Sequence, residues 1–153
     1  MKRVKICRLL TISSMLLMLA PLALRAAEPE DIIKYRQNMM KAIGGHTGAA
    51  GAIIQGKVDY RNQLADHARA LQALTGDIPA LFPKDSDFGE TKAKDGVWSN
   101  RAEFEKTAKD AKAKVAAFAK AVQGGNQQAI IASYKEMGEG CKSCHKDFRK
   151  KDD

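Results

Sequence analysis

The chain has 153 residues and a formal net charge of +8, and 29% of its residues are charged. This length provides for one domain of ordinary size, and the charge by itself would favour an acidic partner such as a nucleic acid. However, five of the 26 basic residues lie within the first 26 positions, which hold no acidic residue, so the rest of the chain has a net charge of only +3. Its basic residues are interleaved with acidic ones except at 149–151, so nucleic-acid binding becomes a minor hypothesis and no such partner is predicted.

The first 26 residues have the layout of a secretory signal peptide. The basic start "MKRVKICR" precedes the apolar run "LLTISSMLLMLAPLAL", and small residues follow. That run is shorter than the roughly 20 apolar residues of a membrane-spanning helix, and Pro21 interrupts it. We therefore predict cleavage near Ala26 or Ala27, export to the periplasm, and a single mature domain over residues 27–153 without a membrane span.

The mature sequence predicts helices and no strand, since it is rich in Ala, Lys, Gln and Glu and has few β-branched runs. The first helix begins after Glu28, with Pro29 at a first helical position. Its apolar residues recur with the three-or-four spacing of one buried face, at Ile32, Ile33, Met39, Met40 and Ile43. Glycines between 44 and 56 lower the stability of this helix and let a second helix or a flat cofactor approach its backbone closely.

The second helix is followed by a long connection. One apolar stripe predicts this helix, with members at Tyr60, Leu64, Ala68, Leu71 and Leu74. Gly76 is a typical C-terminal stop. Residues 76–97 hold two prolines, three glycines, four Asp residues and one Ser residue. We predict a loop here and not a domain boundary, because neither half of the chain could bury a core alone.

The third and fourth helices repeat the apolar pattern. The third opens at Ser99 or Asn100, with Glu103 in capping-box spacing, and its stripe comprises Phe104, Ala108, Ala111, Val115, Phe118 and Val122. Asn126 caps the fourth, whose stripe comprises Ile130, Tyr134, Met137, Cys141, Cys144 and Phe148. The chain is therefore predicted to be all-α, an antiparallel four-helix bundle with a long loop between helices 2 and 3.

The fourth helix contains the pattern C-x-x-C-H, formed by Cys141, Cys144 and His145. Structural zinc would need four ligands, and the other histidines, His46 and His67, lie on other helices. A thioredoxin-like dithiol normally starts a helix in a βαβ unit, where the helix dipole lowers the thiol pKa. This motif lies near the end of a helix in an all-α chain, so an exported thiol–disulfide protein without haem is the weaker alternative.

C-x-x-C-H is also the attachment motif of c-type haem. Two cysteines three residues apart can form thioethers to the two vinyl groups on one edge of the porphyrin, and the adjoining imidazole can bind the iron. Export is consistent with this interpretation, because such attachment is completed outside the cytoplasm. One motif predicts one haem, covalently attached as haem c.

An exported four-helix chain with "CKSCHKDFR" on its last helix and "EDIIKYRQNMM" on its first resembles the class II cytochromes c, the cytochrome c′ family. The resemblance spans the whole mature chain. It implies that Cys141 and Cys144 hold the haem and that His145 is the proximal iron ligand. It further implies that Arg149 lies beside the proximal imidazole and Arg36 near the haem propionates. Many relatives form a homodimer through the first two helices, and by analogy this chain is expected to do so.

The family divides on the other face of the haem, where its register places Met40. In a high-spin branch the distal residue does not bind, and the five-coordinate iron is open to nitric oxide or carbon monoxide. In a low-spin branch a methionine here binds the iron and gives a Met/His electron carrier, whose potential the soft thioether raises. The glycine-rich segment after Met40 and "LFP" in the long loop resemble the low-spin branch, although methionine also occurs in the unligated one.

Other candidate residues have simpler interpretations. Met39 competes with Met40 as a ligand but lies on a different face, and a methionine on an apolar helix face usually packs in the core. His46 would be a distal ligand only against the family's pattern, and His67 is expected to be partly exposed. Trp98 is expected to pack against the bundle. The basic residues at 149–151, next to a haem edge, would steer an acidic redox partner.

The main prediction is a periplasmic one-electron carrier with other redox proteins as partners, His145 as proximal ligand and Met40 as distal ligand. It is not predicted to be an enzyme, because the sequence shows no nucleophile–base pair and no second metal site. The alternative is a five-coordinate haem protein that binds nitric oxide or carbon monoxide, for detoxification or sensing.

Overall fold

The computed structural model describes residues 28–151. Within that range the chain forms five α-helices: α1 Pro29–Ile54, α2 Leu64–Leu74, α3 Gly96–Ser99, α4 Arg101–Gly124 and α5 Gln127–Phe148. The four longer helices form a bundle, and α3 is a single turn that leads into α4. Between residues 28 and 151 there is no strand, and the one isolated bridge joins Ala93 to Arg149. The prediction of an all-α four-helix bundle is therefore confirmed.

Two predictions at the N-terminus are not addressed by this structure. The signal peptide, residues 1–26, and its cleavage site lie outside the described residues. Within the described part of the chain, no helix combines the length and the hydropathy that a membrane crossing requires.

The start of α2 differs from the prediction. The apolar stripe was expected to begin at Tyr60, but this side chain is 56% exposed and lies in the connection before the helix. A short 3₁₀ turn, Arg61–Gln63, comes first, and the α-helix begins at Leu64. Gly56, with a φ of +67°, has already turned the chain out of α1, so Tyr60 belongs to neither buried face.

The caps of α4 and α5 differ from each other. Asn126 caps α5 as predicted, because its side chain accepts a hydrogen bond from the backbone N–H of Ala129 at 3.0 Å. Asn100 occupies the N-cap position of α4 but makes no side-chain cap, so the predicted capping box is absent. The first turn of α4 is instead fixed by Arg101, whose guanidinium donates to the carbonyls of Pro79 and Phe82 and to Glu105.

The core has two parts. The larger cluster lies among all four long helices and comprises Ala50, Ala68, Leu71, Val115, Phe118, Ala119, Ile130 and Met137. The smaller cluster, which we call the aromatic cluster, comprises Phe82, Val97, Phe104 and Phe148. Met40 and Cys144 pack against the aromatic cluster from α1 and α5. The long loop thus contributes Phe82 to the core beside the cysteine motif.

Helix α1 packs closely against the Tyr134 side chain of α5 at Gly51. The hydroxyl of Tyr134 donates a hydrogen bond of 2.9 Å to the carbonyl of Thr47, and a Cβ atom at Gly51 would collide with that hydroxyl. Gly48 lies on the same helix with nothing within 4 Å of its would-be Cβ. The two glycines therefore make a matched pair in which only one is required by packing.

We expect Gly51→Ala to destabilise the fold and Gly48→Ala to stabilise it. Alanine gains about 1 kcal/mol of helix propensity at either site. At Gly51 this gain is outweighed by overpacking of about 1–3 kcal/mol and by loss of the Tyr134 hydrogen bond, about 1 kcal/mol. The free energy of unfolding, measured in urea, is therefore expected to fall by about 1–3 kcal/mol in Gly51→Ala and to rise by about 0.5–1 kcal/mol in Gly48→Ala. Shifts of the same sign in both variants would show that the packing argument is wrong.

Candidate cofactor site

One cavity of about 530 Å³ lies between α1, the long loop, α4 and α5. Its volume is within the range of about 300–1,000 Å³ that is usual for cofactor and small-molecule sites. Most of its wall is apolar, formed by Ile78, Phe82, Ala93, Val97, Phe104 and Phe148. A flat apolar group would therefore be well accommodated in it.

Helix α5 places two members of the C-x-x-C-H motif on the cavity wall. Cys144 and His145 line the cavity, and Cys141 lies one helical turn earlier, half-buried, outside the set of lining residues. Both cysteines are free thiols. The α5 register explains this arrangement, since Met137, Cys144 and Phe148 follow the buried stripe and His145 projects from its edge.

The electrostatics of the motif disfavour a reactive dithiol. Burial, reinforced by the nearby Cys141 and Asp147, raises the pKa of the Cys144 thiol to about 11. Burial also raises the pKa of Cys141, against the opposing effect of Lys114. Thiol–disulfide exchange requires a thiolate, and the raised pKa values favour the protonated form of both motif thiols at neutral pH. The weaker alternative, a thiol–disulfide protein without haem, loses support.

The surroundings of His145 favour the neutral form of its imidazole. Partial desolvation and the positive charge of Arg149 both lower its pKa, and the neutral form is the one that binds metal ions. Arg149 also lines the cavity, and its backbone N–H donates to the carbonyl of His145 at 3.0 Å. Arg149 therefore lies close to the imidazole in the polypeptide without a bound cofactor.

Residues 92–94 of the long loop are tied to the end of α5. The backbone N–H of Lys94 donates to the carbonyl of Phe148 at 3.0 Å, and the N–H of Lys150 donates to the carbonyl of Lys92 at 2.8 Å. The side chain of Lys94 adds a bond of 2.8 Å to the carbonyl of Lys146. These bonds hold the loop as one wall of the cavity.

Met40 lines the cavity from α1, whereas Met39 does not. Met40 is half-buried and packs against the aromatic cluster. The two neighbouring methionines thus lie in different surroundings, and of the two only Met40 would face a group bound in the cavity.

Arg36 lines the cavity but uses its guanidinium to hold the long loop. It is only 3% exposed, and it donates to the side-chain hydroxyl and carbonyl of Ser86, each at 3.0 Å, and to the hydroxyl of Thr91 at 2.8 Å. It also lies 4.6 Å above the centre of the Phe82 ring. Burial lowers its pKa, but a guanidinium remains charged in proteins. Sequence reasoning placed Arg36 near the propionates and missed these partners.

The remaining candidates lie apart from the cavity. His46 and His67 do not line it and instead meet each other between α1 and α2. His46 is therefore not placed as a distal ligand, because its helix face is turned to α2. Trp98 packs against the bundle as predicted, with its ring edge on Phe82 and its indole N–H donating to the carbonyl of Pro83 at 2.8 Å.

The Cys144 thiol and the His145 imidazole from α5, the Met40 thioether from α1 and the apolar side walls fit a haem attached by thioethers. The family model described as Cytochrome C′ matches residues 31–149. The chain belongs to the cytochrome c′ family. Proteins of this family bind one covalently attached c-type haem, and that cofactor was predicted from the motif.

Individual relatives agree with this assignment. Cytochrome c′ of Pararhodospirillum photometricum is 34% identical over 124 residues, which cover 80% of this chain and 99% of that protein. The crystal structure of cytochrome c′ from Rubrivivax gelatinosus has a TM-score of 0.76 and 31% identity, and it covers 82% of this chain and 100% of its own. The nitric oxide complex of a mutant cytochrome c prime from Alcaligenes xylosoxidans has a TM-score of 0.77 and 26% identity, with coverage of 84% and 100%.

Proposed function

We propose that the chain is an exported cytochrome c′ that binds nitric oxide or carbon monoxide on an open distal face of its haem, and not primarily a Met/His electron carrier. The observation that supports this most strongly is the likeness of the whole described fold to a cytochrome c prime solved with nitric oxide bound. The bound haem would supply an iron with one free coordination position. The protein's part is to attach the haem, to hold one side of the iron and to shape the other.

The attachment side is assigned to α5. The Cys141 and Cys144 sulfurs would form the thioethers, and the His145 imidazole would be the proximal ligand. The lowered pKa of His145 supports this role, because a neutral ring nitrogen is available without first losing a proton. Arg149, beside the ring, favours the same protonation state.

The distal side is assigned to Met40 and the aromatic cluster. Phe82, Val97 and Phe104 give this wall no charged side chain and pack closely around the methionine. A small neutral gas loses little by leaving water for such a wall, whereas a charged ligand would lose its hydration. This apolar patch therefore suits a small neutral gas, and the basic residues Arg36 and Lys41 also line the cavity from α1.

Electron transfer through Met/His ligation is the second candidate. The observation that favours it is that Met40, and not Met39, lines the same cavity as Cys144 and His145. A thioether bound there would close the distal face and raise the reduction potential. The exposed basic residues Arg149 and Lys150, at the end of α5, would then steer an acidic redox partner.

Exchange of Met40 for alanine distinguishes the two candidates. If Met40 is not a ligand, Met40→Ala leaves the ferrous spectrum high-spin, as in the unaltered protein, and enlarges the distal space. We then expect carbon monoxide affinity to change by no more than about tenfold, the effect of about 1.4 kcal/mol. Met39→Ala is the matched control and is expected to change neither the spectrum nor the affinity. Conversion from a low-spin to a high-spin spectrum in Met40→Ala alone would overturn the open-face proposal and support the carrier.

Export and assembly remain proposals alongside this function. The signal peptide is inferred from the sequence, and a periplasmic location follows from it. The homodimer expected by analogy would use the first two helices. Tyr35, Val58 and Tyr60, all on α1 or on the segment that leads to α2, are large exposed side chains in that region.

A further inference from the structure

His46 on α1 and His67 on α2 form a pair that the haem site does not use. Their Nδ1 atoms are 2.9 Å apart, and their ring centroids are 5.2 Å apart with the planes tilted by 57°. Both side chains are half-buried in the seam between the two helices. Two imidazoles that meet through the same ring nitrogen share a single proton in their neutral forms, since one nitrogen must donate and the other accept.

A metal ion can take the place of that shared proton. Metal–nitrogen bonds to histidine are about 2.0–2.1 Å long, so two nitrogens at right angles around one ion lie about 2.9 Å apart. A tetrahedral ion would require about 3.3–3.4 Å from the same bond lengths. The observed separation is that of an N–H···N hydrogen bond, and it also equals the spacing of neighbouring corners of a square, the arrangement preferred by Cu(II) and Ni(II). The terminal torsion of histidine is broad, so both rings can turn until their lone pairs converge.

We propose that His46 and His67 form a binding site for a divalent transition metal of tetragonal preference, with Cu(II) bound most tightly. Among the described residues no group of three or more His, Cys, Asp or Glu side chains could hold a metal ion, so water must complete the coordination. Both rings are only half-buried, so solvent reaches the pair. With only two protein ligands the intrinsic affinity of the metal decides occupancy, and Cu(II) stands highest among the divalent first-row ions.

Occupancy of this site would join α1 to α2. Helix α1 also provides Met40 and Arg36 to the haem cavity, so a bound ion would stiffen the helix that forms the distal wall. An ion that binds only the folded chain also raises its stability against unfolding.

The test is titration of the haem-loaded protein with copper(II) sulfate. Attached haem occupies Cys141, Cys144 and His145, so these residues cannot compete for the added ion. We expect one ion per chain by calorimetry, a higher unfolding temperature, and a Cu(II) electron paramagnetic resonance spectrum split by two nitrogen nuclei. Absence of saturable binding, or a spectrum without two-nitrogen splitting, would overturn the proposal even if no variant could be prepared.

Two single variants locate the site. His46→Gln and His67→Gln are each expected to weaken copper binding by more than about tenfold, since even changes outside the coordination shell cost about 10–100-fold. Gln72→Ala, on the exposed part of α2, is the matched control and is expected to bind as the unaltered protein does. Unfolding curves without metal check that each variant is folded. Full copper affinity in either folded histidine variant would show that the ion binds elsewhere.

Discussion

Removal of both motif cysteines is expected to abolish covalent haem. In the variant Cys141→Ser/Cys144→Ser no sulfur remains in the mature chain to form a thioether, because the remaining cysteine, Cys7, lies in the predicted signal peptide. Haem that stays with the polypeptide on a denaturing gel, detected by its peroxidase activity, should fall to background. The single variants should each retain attachment through one thioether at a reduced yield.

Ser143 provides the matched control for this experiment. It lies between the two cysteines and is exposed, so Ser143→Ala should retain full covalent haem. Circular dichroism of each variant checks that the helices are formed. Covalent haem in the folded double variant would contradict the assignment of the motif as the attachment site.

The second large effect is expected at Arg36, which connects α1 to the long loop. Arg36→Met removes a guanidinium that donates to Ser86 and Thr91 in a nearly dry position. Hydrogen bonds to charged groups contribute about 1.5–3 kcal/mol each and are not additive, and acceptors left buried without partners add to the cost. The free energy of unfolding of the haem-loaded protein should therefore fall by about 2–4 kcal/mol.

The exposed Arg69 is the control for the buried Arg36. A comparison of the two variants shows how much of the stability loss comes from burial of the guanidinium. Arg69 forms an ion pair with Asp66 on the surface of α2, and its side chain is 65% exposed. Such pairs contribute little, so Arg69→Ala should change the free energy of unfolding by no more than about 0.5 kcal/mol. Equal losses in Arg36→Met and Arg69→Ala, measured in urea, would contradict the role of Arg36 as the anchor of the loop.

The helices and the attachment motif were predictable because both are local in sequence. Spacings of three and four identified the buried stripe of α5, and Asn126 was correctly assigned as its cap. The C-x-x-C-H pattern identified the cofactor because two thioethers and an imidazole are provided by five consecutive residues. None of these inferences needed to know which helices are neighbours.

The contacts that the sequence did not reveal join distant segments. Arg36 meets Ser86 fifty residues later, and His46 meets His67 across the seam between α1 and α2. Periodicity shows which face of a helix is buried but not what covers that face. A clue was present at Arg36, since a charged residue between Ile33 and Met40 on a buried face must find acceptors, and the polar stretch after Phe82 contains them.

The sequence could not show whether Met40 binds the iron, and the reason is different. A methionine at position 40 is compatible with core packing, with an unligated distal wall and with iron ligation. These states differ in where one sulfur atom lies relative to the iron. That difference depends on how α1 packs on the aromatic cluster, which no local pattern of residues reports.

The most direct test is the absorption spectrum of the ferrous, haem-loaded protein before and after addition of carbon monoxide. An open distal face predicts a broad high-spin spectrum that converts to a sharp low-spin spectrum as the gas binds. A sharp low-spin spectrum that carbon monoxide leaves unaltered would contradict the proposed function and assign Met40 to the iron.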